Sequence, residues 1–248
     1  MSRPLINRPP MARSPISRRI SPYPPIPTVE QVAMQFCRSV RMAVRGDVPY
    51  CHWQVRDVFP LDLCTGILTL PIAPPVLGRT DGTRNSYNAS RCFITPALRA
   101  KFPVCQVLSD ALQRDDVARL MAETCDIPAE GSFLRMEYMQ DTDGAWLEPH
   151  RDIPEKLFSM VIYLFIGPDA AEWGTDIYDA GKRWVGRSAG EFNSGVIFVP
   201  GPATWHGFDP RPIIGVRRLM EINYVRADWR DREQLAFPDL PIRLHWPR

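Results

Sequence analysis

The stretch HRDIPEKLFSMVIYLFI, residues 150–166, decides the fold that this sequence predicts. Residues 157–166 form a strongly apolar run that is rich in large side chains, as expected of a buried strand. The stretch opens with His150 and Asp152, and alternate residues of an extended chain point to the same side. One imidazole and one carboxylate can therefore reach a single ion beside a buried strand.

Further short segments of strand character lie on both sides of this stretch. Glycine and proline turns separate them, as in an antiparallel sandwich or barrel. The predicted strands cover residues 133–139, 157–166, 174–178, 195–200 and 213–225. We expect a double-sheet jelly roll of the cupin-like type, a double-stranded β-helix, over residues 131–228.

The segment before this core predicts helices. Thr28 and Gln31 have the spacing of a capping box, and apolar residues then recur at helical intervals. Residues 96–102 predict a short helical turn, and residues 105–125 predict one long helix. We therefore expect an α+β fold in which a helical N-terminal region, residues 29–130, packs on the jelly-roll core.

The two ends of the chain are predicted to be extensions. Residues 1–28 contain many prolines, five arginines and no acidic residue, a composition typical of a disordered tail. Targeting presequences are also rich in arginine and serine, but the prolines oppose the amphipathic helix that a presequence needs. Residues 229–248 are predicted to be a C-terminal extension.

Composition argues against several classes of partner. The formal net charge is +2, so no strong electrostatic footprint points to nucleic acid or to a membrane surface. No segment approaches the roughly 20 apolar residues of a membrane span. None of the six cysteines forms a Cys-x-x-Cys pair, so we expect free thiols in the cytoplasm.

A third metal ligand and a carboxylate-binding residue follow in the C-terminal half. The chain has four histidines, and His206 comes after the predicted strand 195–200. Two imidazoles and one carboxylate leave coordination positions open and suit non-haem iron(II). Arg217 can bind the carboxylate of a co-substrate through two hydrogen bonds, whereas Arg218 would point to the opposite face of its strand.

Residues 131–226 resemble the iron(II)- and 2-oxoglutarate-dependent oxygenases, in the broad group that includes the prolyl hydroxylases. The similar pieces are Tyr138, Pro149-His150-Arg151-Asp152, Trp173-Gly174-Thr175, residues 193–200, Trp205-His206-Gly207-Phe208 and Gly215-Val216-Arg217. Residues 1–130 carry no such resemblance.

The resemblance implies iron(II) held by His150, Asp152 and His206, with 2-oxoglutarate and O2 as co-substrates and ascorbate as an activator in vitro. It implies that Arg217 binds the distal carboxylate of 2-oxoglutarate and that Tyr138 hydrogen-bonds the same molecule, although a core tyrosine is an equally good interpretation. The implied reaction couples decarboxylation to succinate and CO2 with hydroxylation of an unactivated C–H bond. Because related halogenases carry a small residue in place of the aspartate, Asp152 favours hydroxylation over halogenation; desaturation and ring closure stay open.

These motifs leave the substrate open. Residues 79–91 form a polar loop whose Arg84, Asn85, Tyr87 and Arg91 can bind an anionic or amino-acid-like molecule, although a solvated surface loop is the plainer interpretation. We favour a small-molecule substrate, because the N-terminal region is large enough to cover the mouth of the sheets. The alternatives are a hydroxylase of a protein side chain such as proline, and a cupin-like metal-binding protein that does not use 2-oxoglutarate. We expect a monomer or homodimer.

Overall fold

The computed structural model describes residues 25–76, 80–83 and 88–245, so most of the predicted tail lies outside the described residues. The helices are α1 (Val29–Arg41), α2 (Leu61–Leu68), α3 (Pro96–Lys101), α4 (Pro103–Leu112) and α5 (Asp115–Cys125). The strands are β1 (Val44–Gly46), β2 (His52–Val55), β3 (Arg91–Phe93), β4 (Phe133–Asp141), β5 (Leu147–His150), β6 (Ser159–Tyr163), β7 (Asp176–Tyr178), β8 (Trp184–Arg187), β9 (Ser194–Phe198), β10 (His206–Phe208) and β11 (Arg217–Val225). Short 3-10 turns cover Ala170–Trp173 and Arg232–Gln234.

Two antiparallel sheets form the core of the protein. The larger sheet has seven strands in the order β1-β2-β9-β6-β11-β4-β3, and the smaller has four in the order β5-β10-β7-β8. Strands that are distant in sequence are neighbours in both sheets, which is the connectivity expected of a jelly roll. The predicted α+β class and double-sheet core are confirmed.

Successive side chains of the central strands point to opposite faces of the larger sheet. In β11, Met220 packs in the apolar cluster that includes the helices, whereas Leu219 packs in a second cluster between the two sheets. In β4, Tyr138 likewise packs in the cluster that includes the helices, and Met139 packs in the cluster between the two sheets. β6 is buried along its whole length because both of its faces are covered, which explains its strongly apolar sequence.

The helices cover the outer face of the larger sheet. α1 begins at the predicted capping box, where the Gln31 backbone amide donates to Thr28 Oγ1 at 3.2 Å and the Thr28 amide donates to Gln31 Oε1 at 2.8 Å. Val32 and Phe36 on the buried side of α1 join the same apolar cluster as Met220. The helical region therefore supports the larger sheet on the side away from the smaller sheet.

Residues 29–130 differ from the prediction in two respects. The single helix predicted over residues 105–125 is two helices, because Arg114 adopts an extended conformation (ψ 144°) and α5 begins after it. Asp115 and Asp116 in the first turn of α5 stabilise this new helix start. The region also supplies β1, β2 and β3 to the edges of the larger sheet, and strands of three or four residues are too short to show a clear alternation in the sequence.

All six cysteines are free. Within the described parts of the chain, none of the helices combines the length and hydrophobicity that crossing a membrane requires.

Candidate metal centre and its pocket

His150, Asp152 and His206 converge between the two sheets. One ligand atom from each residue lies within 4.8 Å of those of the other two. His150 ends β5, His206 begins β10, and the two residues are direct partners in the register of the smaller sheet. Their ring centroids are 4.3 Å apart. The pairing of β5 with β10 therefore brings together two histidines that are far apart in the sequence.

Backbone carbonyl groups orient both imidazoles. Nδ1 of His150 lies 3.0 Å from the Glu148 carbonyl oxygen, and Nδ1 of His206 lies 3.1 Å from the Thr204 carbonyl oxygen. Since a carbonyl oxygen only accepts, Nδ1 carries the proton in each ring and Nε2 presents a lone pair. Burial lowers the pKa of His206 below its ordinary value, which favours the neutral imidazole that binds metals.

The Asp152 carboxylate is held by two further side chains. Lys156 Nζ donates to Oδ1 at 2.8 Å, and Ser159 Oγ donates to Oδ2 at 2.5 Å. Oδ2 is also the oxygen that lies 3.9 Å from Nε2 of His206. One carboxylate oxygen therefore faces the histidines while the other is turned to Lys156, which also contacts Glu221.

The donor set fits a divalent transition metal. Two neutral imidazoles and one carboxylate form a triad that leaves coordination positions open, as non-haem iron(II) oxygenases require. Asp152 and His206 are buried and His150 is half-buried, so the group lies largely inside the protein.

Arg217 lies in the same pocket as these three residues. The pocket wall takes apolar side chains from both sheets, among them Met139, Val161, Phe198, Phe208 and Leu219. Arg217 is buried on this wall at the start of β11. The pocket therefore combines three candidate metal ligands, the guanidinium groups of Arg217 and Arg91, and apolar side chains from both sheets.

Several contacts fix the guanidinium group of Arg217. Its Nη1 donates to Asp141 Oδ2 at 2.5 Å, its Nε donates to the Trp173 carbonyl oxygen at 2.7 Å, and its Cζ lies 3.9 Å from the ring centroid of Phe208. Burial raises the pKa of the Asp141 carboxyl group, and Arg217 opposes that shift. A carboxylate that enters the pocket would share Arg217 with Asp141.

The structure does not bring Tyr138 to this pocket. Its neighbours Met139 and Asp141 line the pocket, whereas Tyr138 packs in the cluster on the outer face of the sheet. Its hydroxyl lies near Arg218, and burial raises the pKa of Tyr138 to about 12. Arg218 thus lies on the opposite face from Arg217, as the alternation of a strand requires. The same alternation in residues 133–139 could have placed Tyr138 correctly.

Some residues of the site were missed in the sequence. Lys156, Ser159 and Glu221 surround Asp152, and Asp141 holds Arg217. Glu221 could have been inferred, because it lies an even number of residues after Arg217 on one strand and so shares its face. The positions of the other three depend on pairing between distant strands or on the loop after β5, for which the sequence carries no local signal.

The predicted substrate loop is only partly described. Arg84, Asn85 and Tyr87 lie outside the described residues, while Arg91 begins β3 and lines the pocket. Arg151 donates to the Pro202 carbonyl oxygen at 3.2 Å. Among the described residues, no side chain of an α-helix lines the pocket, because the helices cover the other face of the larger sheet.

Sequence comparisons found no match: no protein-family model matches the chain, and no curated protein does. Solved structures do match. A prolyl 4-hydroxylase from Phytophthora capsici is similar with a TM-score of 0.56 and 14% identity, covering 85% of this chain and 70% of that chain. A prolyl hydroxylase from Trichoplax adhaerens, solved in complex with a peptide fragment of the oxygen degradation domain of hypoxia inducible factor, is similar with a TM-score of 0.52 and 12% identity, covering 79% and 90%. The chain therefore has the fold of these prolyl hydroxylases.

Proposed function

We propose that this protein is an iron(II)- and 2-oxoglutarate-dependent dioxygenase. It hydroxylates an unactivated C–H bond of a small molecule and releases succinate and CO2. The observation that carries this proposal is the convergence of His150, Asp152 and His206 in one pocket with Arg217, within the fold of that group.

Each residue of the pocket has a distinct part in this function. His150, Asp152 and His206 would hold iron(II), which supplies the oxidation chemistry when bound. Arg217 binds the distal carboxylate of 2-oxoglutarate, and its contacts with Asp141 and the Trp173 carbonyl keep the guanidinium group in place before the co-substrate arrives. The apolar wall excludes water from the reacting groups.

A hydroxylase of a protein side chain is the second candidate. The observation that favours it is the similarity in fold to two prolyl hydroxylases, one of them solved with a peptide fragment. Because the described helices leave the pocket uncovered, the helical region gives no support to a closed site. The preference for a small molecule depends instead on a cleft of about 610 Å³ that His150 also lines, a volume within the roughly 300–1,000 Å³ of small-molecule sites.

A turnover assay tests the proposed function. The purified protein with iron(II), ascorbate, O2 and 2-oxoglutarate should form succinate slowly without an added substrate, and His150→Ala and Asp152→Ala should abolish this. His245→Gln is the matched control, because His245 is 83% exposed in its side chain and lies near Asp115 in the helical region. A protein that binds neither Mn(II) nor 2-oxoglutarate by calorimetry would overturn the proposal.

A further inference from the structure

Trp205 directly precedes a candidate metal ligand in the chain, and two cations contact its indole ring. The guanidinium carbon of Arg151 lies 4.7 Å from the ring centroid, and Nζ of Lys182 lies 4.4 Å from it. Both distances fall within the roughly 6 Å over which a cation is attracted to the face of an aromatic ring. Trp205 is half-buried, whereas both cations are exposed. We call these three side chains the Trp205 clamp.

The Trp205 clamp joins the two segments that carry the candidate metal ligands. Arg151 lies between two of these ligands, His150 and Asp152. Trp205 directly precedes the third, His206. His150 and His206 are direct partners where β5 pairs with β10. The contact between Arg151 and Trp205 therefore ties one strand of this pair to the other, one residue beyond the two imidazoles.

Arg151 has a second contact with the segment before β10. Its Nη1 donates to the Pro202 carbonyl oxygen at 3.2 Å. Pro202 lies in a turn where Oγ1 of Thr204 accepts from the Gly201 amide at 2.9 Å. Thr204 is also the residue whose carbonyl oxygen orients the imidazole of His206. The side chain of Arg151 thus contacts both the ring beside His206 and the turn that orients this histidine.

Lys182 reaches the indole ring from the turn between β7 and β8. The Asp179 carboxylate accepts from the backbone amides of Gly181 and Arg183, at 2.8 and 3.0 Å, and so shapes this turn. Lys182 itself lies in the left-handed region (φ 60°), which glycine adopts freely and a lysine does not. Glycine at this position would therefore relieve the backbone while it removes the cation from Trp205.

The backbone of Trp205 is also held, and one of its partners comes from the N-terminal region. Its carbonyl oxygen accepts from the Tyr178 amide at 3.0 Å and from the Tyr50 hydroxyl at 3.2 Å. Tyr50 is buried, and its ring lies 6.3 Å from that of Phe198. The Phe198 ring in turn lies 4.5 Å from the imidazole of His206. The N-terminal region therefore supports the candidate metal centre through Tyr50, although its helices lie on the other face of the larger sheet.

We propose that Trp205 is a positioning residue for the metal centre. Arg151 and Lys182 hold its ring, and the fixed ring keeps His150 and His206 in the arrangement that binds a metal. Affinity falls in proportion to the fraction of protein that has its ligands so arranged, so a loosened ring should weaken metal binding. This inference rests on the proposed function, because it concerns the ligands that would hold iron(II).

Mn(II) binding to the metal-free protein, measured by isothermal titration calorimetry, tests the inference. We expect Trp205→Leu to weaken Mn(II) binding roughly fivefold or more, the combined effect of two exposed cation–π contacts. Trp205→Phe should recover part of this loss. Leucine and phenylalanine are both apolar, but only phenylalanine presents a ring face to the two cations.

The sign of the effect distinguishes the Trp205 clamp from simple charge repulsion. Arg151 and Lys182 carry positive charge beside residues that would hold a dication, so repulsion alone predicts tighter Mn(II) binding when either is removed. The clamp predicts binding that is at least about twofold weaker for Arg151→Met and for Lys182→Gly. Lys182→Gly should also keep or raise the melting temperature. Lys101→Met is the matched control and should leave Mn(II) affinity unchanged, because Lys101 is an exposed lysine 5.3 Å from the Phe102 ring in the helical region.

The absorption spectrum of bound Co(II) separates positioning from a general loss of stability. This spectrum depends on the geometry of the metal ligands, so Trp205→Leu should change it and Trp205→Phe should restore it. Tighter Mn(II) binding by Arg151→Met and Lys182→Gly would overturn the clamp. So would Mn(II) affinities and Co(II) spectra of Trp205→Leu that equal those of the wild type, and in both cases the metal site stands. A wild type that binds neither ion overturns the proposed function together with the clamp.

Discussion

Lys156 donates a hydrogen bond to Oδ1 of Asp152 and thereby leaves Oδ2 as the oxygen that faces His206. Both side chains are buried, and the same ammonium group contacts Glu221. One lysine therefore holds two buried carboxylates beside the candidate metal site. Asp152 would thus offer a bound metal one carboxylate oxygen, which would leave further coordination positions open.

Replacing Lys156 by methionine should destabilise the metal-free protein. Asp152 and Glu221 would remain as two buried carboxylates without their shared cation, and breaking a buried pair in this way costs about 3–5 kcal/mol. We expect this loss in the free energy of unfolding, measured by urea denaturation in the presence of a chelator. Lys156→Met/Glu221→Gln should recover part of it, and a loss below about 1 kcal/mol for Lys156→Met would contradict the buried network.

Variants of Arg217 and Arg218 form a matched pair that tests the proposed 2-oxoglutarate site. Arg217→Gln should raise the concentration of 2-oxoglutarate for half-maximal succinate formation about 30-fold or more, since losing one partner of a buried charge pair costs roughly 2–5 kcal/mol. Arg218→Gln should leave that concentration unchanged, because Arg218 lies on the other face of β11 with Tyr138. Asp141→Asn/Arg217→Gln controls for the buried carboxylate that Arg217→Gln leaves behind. Equal effects of the two single variants would remove Arg217 from the site.

The free thiols report on the packing of the helical layer. Burial raises the pKa of Cys64, Cys105 and Cys125 to about 12, and only the thiolate reacts rapidly. In the native protein at pH 8 these three should react with a disulfide reagent no faster than the protein unfolds. The half-buried Cys51 should react first and faster with rising pH, as its thiolate fraction grows, and Cys51→Ser should remove this phase. Rapid labelling that mass spectrometry maps to any of the three would contradict the packing.

Local sequence predicted those parts of the fold that depend on short-range periodicity. The capping box at Thr28, the buried strand in residues 157–166 and the shared side of His150 and Asp152 all follow from the spacing of neighbouring residues. Glu137 could not be predicted to lie between two arginines, because β3 and β4 pair only in the folded sheet. Lys156 lies in the loop after β5, where no periodicity applies.

The same distinction bears on Tyr138, for which the sequence left two interpretations open. Side chains alternate between the two faces along β4, and Tyr138 lies with Met220 on the face that the helices cover, as a core tyrosine would. The break between α4 and α5 was missed for a different reason. Apolar residues continue at helical spacing across Arg114, and only its extended backbone divides the segment.

Gly207 controls how closely β10 approaches β5. A Cβ atom at this position would lie 2.7 Å from the Leu147 carbonyl oxygen and 3.1 Å from the Glu148 carbonyl oxygen. Alanine at Gly207 therefore pushes apart the two strands that carry His150 and His206, while the larger sheet is untouched.

We expect Gly207→Ala to weaken Mn(II) binding about 10–100-fold, the effect typical of displacing the residues that orient metal ligands. Circular dichroism should stay close to that of the wild type. Gly186→Ala is the matched control, because it lies on β8 of the same sheet and an added Cβ there meets nothing within 4 Å. Isothermal titration calorimetry measures the Mn(II) affinity of both variants. Equal affinities would show that the spacing of β5 and β10 does not set the geometry of the ligands.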